Sequence, residues 1–430
     1  MRKRVVLSVT WGVLFLLLTA CSVLNQDPLP TLVPVIQLPD ATATPTAVTT
    51  TAQTEETAVP PTFTPSATET IPTDTPAPQI IDNRGALAYI NSAGEGLYLV
   101  RPDGSTETQY YALQGVDRLL PASFNGQRIA FVQDGRLFVA RTDGSGMVEI
   151  TAVATPSWFI WSPTGDEFAL IDNGDLVVVQ ADSGAVNRVA TGMQLADIPG
   201  SVAWSPNGQQ LLFTCGAQAT DLCRVASNGS EAIVNLTNNG ADSFAWYREP
   251  RWSPDGSLIS YVSPDADKNL QLYVMNNDGS AARQLTVGSG QTSLHQWSPT
   301  GQRLVYALFA DNAWHVRVVN VDGTNDLELS AELPPLDAVV PQWDAQGAQV
   351  GLLYTTEATV NAVSIALVAV DETAVTPLTD NGWQLTWSPD GQQLAYIAGD
   401  GQIYIHAANG SGNPRVITCQ SGCESFVWLP

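Results

Sequence analysis

An all-β ring of four-stranded units is the fold class this sequence predicts, and three observations predict it. An anchor position, in six copies the start of a Trp-x-x-x-Gly motif, recurs at intervals of 39 to 48 residues. A second motif, Asp-Gly-Ser or a close variant, follows most copies of the first. The last strand-like segment of the chain and the first each supply what the other lacks. Together they predict a β-propeller of about eight four-stranded blades, with seven as the alternative.

The chain does not begin with the repeat. Residues 2–4 are basic, Val5 to Ala20 is an uncharged apolar run, and Leu18-Thr19-Ala20-Cys21 follows with small residues before a cysteine. That order is a secretory signal layout, so residues 1–20 are expected to be a signal peptide. The end of the run resembles a bacterial lipobox. The resemblance implies that Cys21 is lipidated and becomes the first mature residue. An uncleaved membrane helix, which needs about 20 apolar residues, is the alternative. Either reading places the remainder outside the cytoplasm, tethered to a bacterial membrane at the cell surface or in the periplasm. Residues 21–80 are dominated by Thr, Pro, Ala and Val without an apolar period, as in Pro60-Pro-Thr-Phe-Thr-Pro65. Such a segment cannot bury enough surface to fold and is expected to be an extended, disordered stalk. The propeller is assigned to residues 81–430.

The clearest repeat reads Trp252-Ser-Pro-Asp-Gly256, a strand to Tyr261, a strand from Leu272, and then Asn276-Asn-Asp-Gly-Ser280. The first motif recurs at Trp161, Trp204, Trp297, Trp343 and Trp387, with a degraded copy, Ala122-Ser-Phe-Asn-Gly126. The second recurs around Asp103, Asp143, Asp322 and Asn409. Short β-branched and aromatic runs such as Ile129–Val132 read as strands, and Pro-Asp-Gly and Asp-Gly-Ser as turns. Four strands per copy expose an apolar face that radial stacking buries, with tryptophan supplying much of the area. Spread over eight copies, residues 83–430 give about 43 residues each, inside the ~40–45 typical of such repeats; seven would need nearly 50. Phe426-Val-Trp-Leu-Pro430 reads as an inner strand with no blade after it, and Gly85–Tyr89 as a blade with no inner strand before it. The two halves are expected to complete one blade and close the ring.

The Trp-Ser-Pro-Asp-Gly and Asn-x-Asp-Gly-Ser pattern resembles the WD-like repeats of TolB-type propellers, and more distantly the propeller of prolyl oligopeptidase-type peptidases. It covers nearly all of residues 83–430. The resemblance implies the fold and says little about function, since one fold hosts many sites. TolB proteins carry a folded N-terminal domain where this chain has the stalk, so their partners are not carried over.

Charge and cysteines narrow the chemistry. The chain carries −24, and −27 once Arg2, Lys3 and Arg4 leave with the leader, which excludes nucleic acid as a partner. Beyond Cys21, four cysteines stand in two close pairs, Cys215 with Cys223 and Cys419 with Cys423. In an exported chain these read as two local disulfides; a thiol metal site is the alternative, with poor spacing and no partnering histidine. No G-x-S-x-G elbow occurs. His295, His315 and His406 fall on different blades with no spacing that makes a pair. Asp265-Ala-Asp-Lys-Asn269 resembles the opening of a calcium loop but lacks its glycine and its bidentate glutamate. No catalytic residue, metal or cofactor is assigned.

The tight turns define one face of the ring, and length variation falls on the other. Seven tryptophans are repeat anchors; Trp158, Trp246, Trp314 and Trp383 map instead to the variable face. Trp246-Tyr247-Arg248-Glu249, in the longest loop, is the best candidate patch for stacking a sugar or holding a peptide, and packing of loops on one another is the rival reading. Three functions follow as expectations. The first is a non-catalytic binding or scaffold module, monomeric, for an extracellular or envelope protein, peptide or glycan. The second is a TolB-like envelope component. The third is a carbohydrate-active enzyme with paired carboxylates in the channel mouth.

Overall fold

The computed structural model describes residues 85–429 except 92–95, 106–107, 112, 114, 157, 194, 196–199, 217–220, 239–246, 360–361 and 420–421. The leader 1–20, Cys21, the stalk 21–80 and Trp246 lie outside the described residues.

Eight antiparallel sheets of four strands each account for the described strands, and the one helical segment among them is a short 3₁₀ turn, Glu357–Thr359. Seven blades run in chain order from the channel outwards. Their inner strands are Val116–Ala122, Ile160–Trp161, Val202–Trp204, Arg248–Trp252, Gln291–Trp297, Ala338–Trp343 and Gly382–Trp387, in blades 2 to 8. Blade 1 is composite: its inner strand is Cys423–Trp428, paired with Leu87–Asn91, with Leu97–Val100 and Thr108–Tyr111 outside. The ring closes as the chain ends imply. Leu87 and Tyr89 then pack with Phe426, Trp428 and Ile403 towards blade 8, while Ala88 and Ile90 pack with Ile129 and Phe131 of blade 2.

Eight apolar clusters hold the ring, one between each pair of neighbouring blades. The anchor tryptophans bridge them. Trp161 Nε1 donates to Pro121 O at 2.7 Å, Trp204 to Ile160 O at 3.1 Å, Trp343 to Gln296 O at 3.2 Å and Trp428 to Thr386 O at 3.4 Å. In each case the acceptor immediately precedes the anchor position of the preceding blade. The repeat spacing therefore ties neighbouring inner strands together, as well as filling their interface.

Turn chemistry repeats with the anchors. In blade 5, Ser253 Oγ donates to Asp255 Oδ1 (2.6 Å), Leu258 N–H donates to Ser253 Oγ (2.9 Å), and Gly256 takes φ 72°. Ser205 with Asn207 and Ser388 with Asp390 reproduce the first contact at 2.7 and 2.6 Å. A glycine suits this left-handed position because it has no Cβ to clash.

Candidate functional site

The two faces of the ring differ in the way the turns predict. From anchor to second strand, the connection is five residues long in each of blades 2 to 8. Between second and third strands it ranges from two residues (Asp134, Gly135) to eight (356–363). The links between blades open on that same face, and the longest, 236–247, delivers the chain to Arg248 at the start of the blade 5 inner strand.

Three inner strands carry a register shift at equivalent positions, each with a non-glycine residue at positive φ: Glu249 (52°), Leu294 (54°) and Gln384 (59°). A bulge of this kind inserts a residue and turns side chains that alternation would separate onto one face. In blade 5, Arg248 opposes Val262 and Arg251 opposes Ser260. Residues three apart thus face partners two apart, and both arginines lie on the face that meets blade 6.

There they join groups from the next blade. Glu249 Oε1 accepts from Ser293 Oγ at 2.8 Å, and its Oε2 stands 3.6 Å from His295 Nδ1. The His295 ring is fully buried, with Nε2 2.9 Å from Ser260 Oγ. Burial pushes its pKa down, and the neighbouring Glu249 carboxylate opposes that only in part. Burial pushes the Glu249 carboxyl up, but the neighbouring His295, Arg251 and Ser293 outweigh it and hold the group at about 2. The buried apolar cluster of the blade 5–6 interface holds six residues, as does the one between blades 7 and 8, against fifteen between blades 6 and 7.

This interface is also where hydrogen bonding is least complete. Eleven buried side-chain polar atoms among the described residues have no partner. Four of them lie at this interface before the anchors, Glu249 Oε2, Arg251 Nε, Thr292 Oγ1 and His295 Nδ1, while Trp297 Nε1 belongs with the anchor indoles of Trp252 and Trp387. An unmade buried hydrogen bond costs about 1–3 kcal/mol, so such a concentration calls for a reason. The opposite face has a polar cleft of about 480 Å³ between blades 4 and 5. Its lining residues Asn207 and Asp255 are committed to their own turns, so the cleft is a consequence of turn geometry.

The residues singled out from the sequence separate accordingly. Arg248 and Glu249 are part-buried members of the wedge. Tyr247 is buried and packs on Tyr261, ring centroids 5.2 Å apart. Trp314, 4% exposed, pairs edge-on with Phe309 inside the blade 6–7 cluster, so its area is given to packing. Trp158 and Trp383 are part-buried near the variable-face ends of the blade 3 and blade 8 inner strands. Both cysteine pairs are joined, Cys215–Cys223 and Cys419–Cys423, with Cα atoms 5.8 and 5.4 Å apart. The Asp265 loop closes on itself, its carboxylate accepting from the Asp267 and Asn269 N–H groups at 2.9 Å each. Among the described residues no cluster of three metal-ligating side chains forms. Arg251 is not singled out from the sequence, and His295 is set aside there for want of a pairing spacing. The signal that could have found them is an Arg at the residue before the anchor, where the other blades carry apolar, amide or hydroxyl residues, and a His two before the next, where the others are apolar.

An eight-bladed β-propeller with one uniform and one variable face is the class of protein that the fold and this wedge define. The family model for the TolB β-propeller domain matches residues 121–335, half of the chain, and the chain belongs to that family. Over 60 residues, 14% of this chain, it is 39% identical to the uncharacterized peptidase YuxL of Bacillus subtilis (strain 168); the matched stretch is 9% of that relative's length. Among solved structures, the dihydro-heme d1 dehydrogenase NirN in complex with DHE gives a TM-score of 0.57 at 14% identity, covering 78% of this chain and 73% of that one. Oligogalacturonate lyase from Vibrio parahaemolyticus gives 0.53 at 12% identity, covering 75% and 98%. Likeness at these identities is likeness of fold.

Proposed function

We propose that this chain is a lipid-anchored, extracytoplasmic binding module that takes its ligand at the variable face, at the channel-side end of the blade 5–6 interface. One observation carries the reading: four of the eleven unpartnered buried polar atoms among the described residues lie at that interface. Polar groups held out of water without partners are a poor choice for stability and a good one for recognition, because a ligand can complete them. The place outside the membrane rests on the leader and Cys21. Membership of the TolB propeller family supports the scaffold, and the fold shared with an oligogalacturonate lyase makes carbohydrates a class to screen.

The test is a thermal-shift screen of the full chain in detergent against glycans and peptides, with Arg251→Gln beside it. A ligand at ~100 Kd stabilises by about 2.7 kcal/mol through linkage and raises the midpoint. The shift should vanish in the variant. A ligand that shifts both proteins equally would place the site elsewhere.

A further inference from the structure

The eight interfaces between blades are not equally held. Anchor indoles tie blade 3 to 2, 4 to 3, 7 to 6 and 1 to 8 through a carbonyl of the preceding blade. The Nε1 atoms of Trp252, Trp297 and Trp387 are buried without a partner. The interfaces these three serve, 4–5, 5–6 and 7–8, also have the smallest buried apolar clusters among the described residues. They hold eight, six and six residues, against twelve to fifteen at the other five. Hydrogen bonds and buried apolar area stabilise an interface by different means, and both run short at the same seams.

Side chains compensate at two of the three. Between blades 4 and 5, Arg224 donates to Asn277 O at 2.9 Å. Between blades 5 and 6, Ser293 donates to Glu249 at 2.8 Å, and Ser260 Oγ stands 2.9 Å from His295 Nε2. Between blades 7 and 8, no side-chain hydrogen bond or ion pair forms among the described residues. The closing interface, 8–1, is better held. Phe426 N–H donates to Gln384 Oε1 at 3.2 Å, and Arg415 donates to Pro102 O at 2.8 Å. The least supported seam is therefore not the one where the chain ends meet.

The two ends of the 7–8 seam differ. At the variable face the link is two residues, Asp380 and Asn381, the shortest between any two blades. Gly382 N–H donates to Val363 O and Gly399 N–H to Asn381 O, each at 2.8 Å, so backbone bonds fix that end. At the turn face, Gly208, Gly256, Gly301 and Gly347 each rest against the proline of the preceding anchor turn. Gly391 has Ala345 and Gln346 there instead, without the stiff pyrrolidine ring that fills the joint elsewhere. We infer that the ring opens between blades 7 and 8, hinged at Asp380 and Asn381 and parting at the turn face, while the closing blade stays intact. The opening is an excursion of the folded ring in which blade 8 moves with blade 1.

Native-state thiol labelling tests this on the full chain in detergent, with one buried leucine at a time replaced by cysteine. Leu394, Leu87, Leu211 and Leu304 each pair with an anchor tryptophan and are fully buried. They lie at the 7–8, 8–1, 3–4 and 5–6 interfaces in that order. A buried thiol reacts only when its interface parts, so the rate, followed on the peptide that carries the new thiol, reads the open fraction. Leu394→Cys should label at least ~tenfold faster than the other three, at a rate that mild denaturant leaves unchanged. Ile365→Cys, buried in the same seam beside the hinge, should label more slowly than Leu394→Cys. If Leu394→Cys does not fold, Leu367→Cys reads the seam from blade 7. Labelling of Leu87→Cys as fast as Leu394→Cys would put the opening at the closing blade and overturn the inference. So would equally fast labelling of Leu211→Cys or Leu304→Cys, which would put it at another seam. Equal rates that all rise with denaturant would show that only global unfolding exposes these thiols, and would overturn it as well. Faster labelling at Ile365→Cys than at Leu394→Cys would overturn the hinge.

Discussion

At the scale of single residues, Glu249 shows what this fold asks of a buried charge. Its carboxyl has a folded value of about 2 against 4.5 for the free group. A value depressed by folding contributes stability that is complete above pH 4.5 and lost as pH falls towards 2. Denaturant titrations from about pH 6 down to about pH 2 should therefore show the wild type losing on the order of 3 kcal/mol more than Glu249→Gln, at about 1.4 kcal/mol per unit. Parallel curves for the two proteins would mean that the carboxylate is solvated, and not held by Arg251, Ser293 and His295. Glu249 was legible in the sequence as a charge beside aromatic residues in the longest link. His295 was not, because its partner lies 46 residues away and neither flanking segment marks it.

Between residues and the ring stand the turns, which lock blades to one another. Gly279, in the outer turn of blade 5, has φ 89°, and a Cβ there would come within 2.5 Å of Leu236 O in blade 4. Gly104, the same turn in blade 1, has φ 74° with nothing within 4 Å. Both would suffer the left-handed penalty of about 1–2 kcal/mol on becoming alanine. Only Gly279 would also have to displace the neighbouring blade's backbone. Equilibrium unfolding should thus find Gly279→Ala more damaging than Gly104→Ala by at least ~1 kcal/mol, and near-equal losses would show that the turn does not clamp blade 4. The turn chemistry itself is plain in the repeated Asp-Gly-Ser. The three inner-strand bulges are not, since the residues at positive φ are Glu, Leu and Gln, none of which favours that conformation.

For the molecule as a whole, the closing blade decides whether there is a ring at all. Its inner strand is held by backbone pairing of Leu87–Asn91 with Cys423–Trp428, by apolar contacts to both neighbours, and by the Cys419–Cys423 bond in the link that leads to it. A loop this short is worth about 2 kcal/mol in the chain-entropy account. Replacing both cysteines with serine should lower unfolding stability by about that amount and leave a single cooperative transition. Two separate transitions would mean that the bond, and not the strand pairing, keeps the ring closed.

The sequence by itself determined the blades, their number, the turn-bearing face and the closing strand. Each is encoded locally: a period-two run makes a strand, a Pro-Asp-Gly or Asp-Gly-Ser makes a turn, and an eightfold repeat leaves few ways to bury its tryptophans. Only the tertiary structure decided which side chains meet. The wedge of Arg248, Glu249, Arg251 and His295 exists because a bulge places both arginines on one face and ring closure sets the next blade's histidine opposite. Trp314, for which the sequence leaves both exposure and packing open, is core because the link from blade 6 to blade 7 folds over it, Trp314 N–H donating to Leu336 O at 2.9 Å. Such contacts depend on how one blade leans on another, and no pattern within a single blade records that.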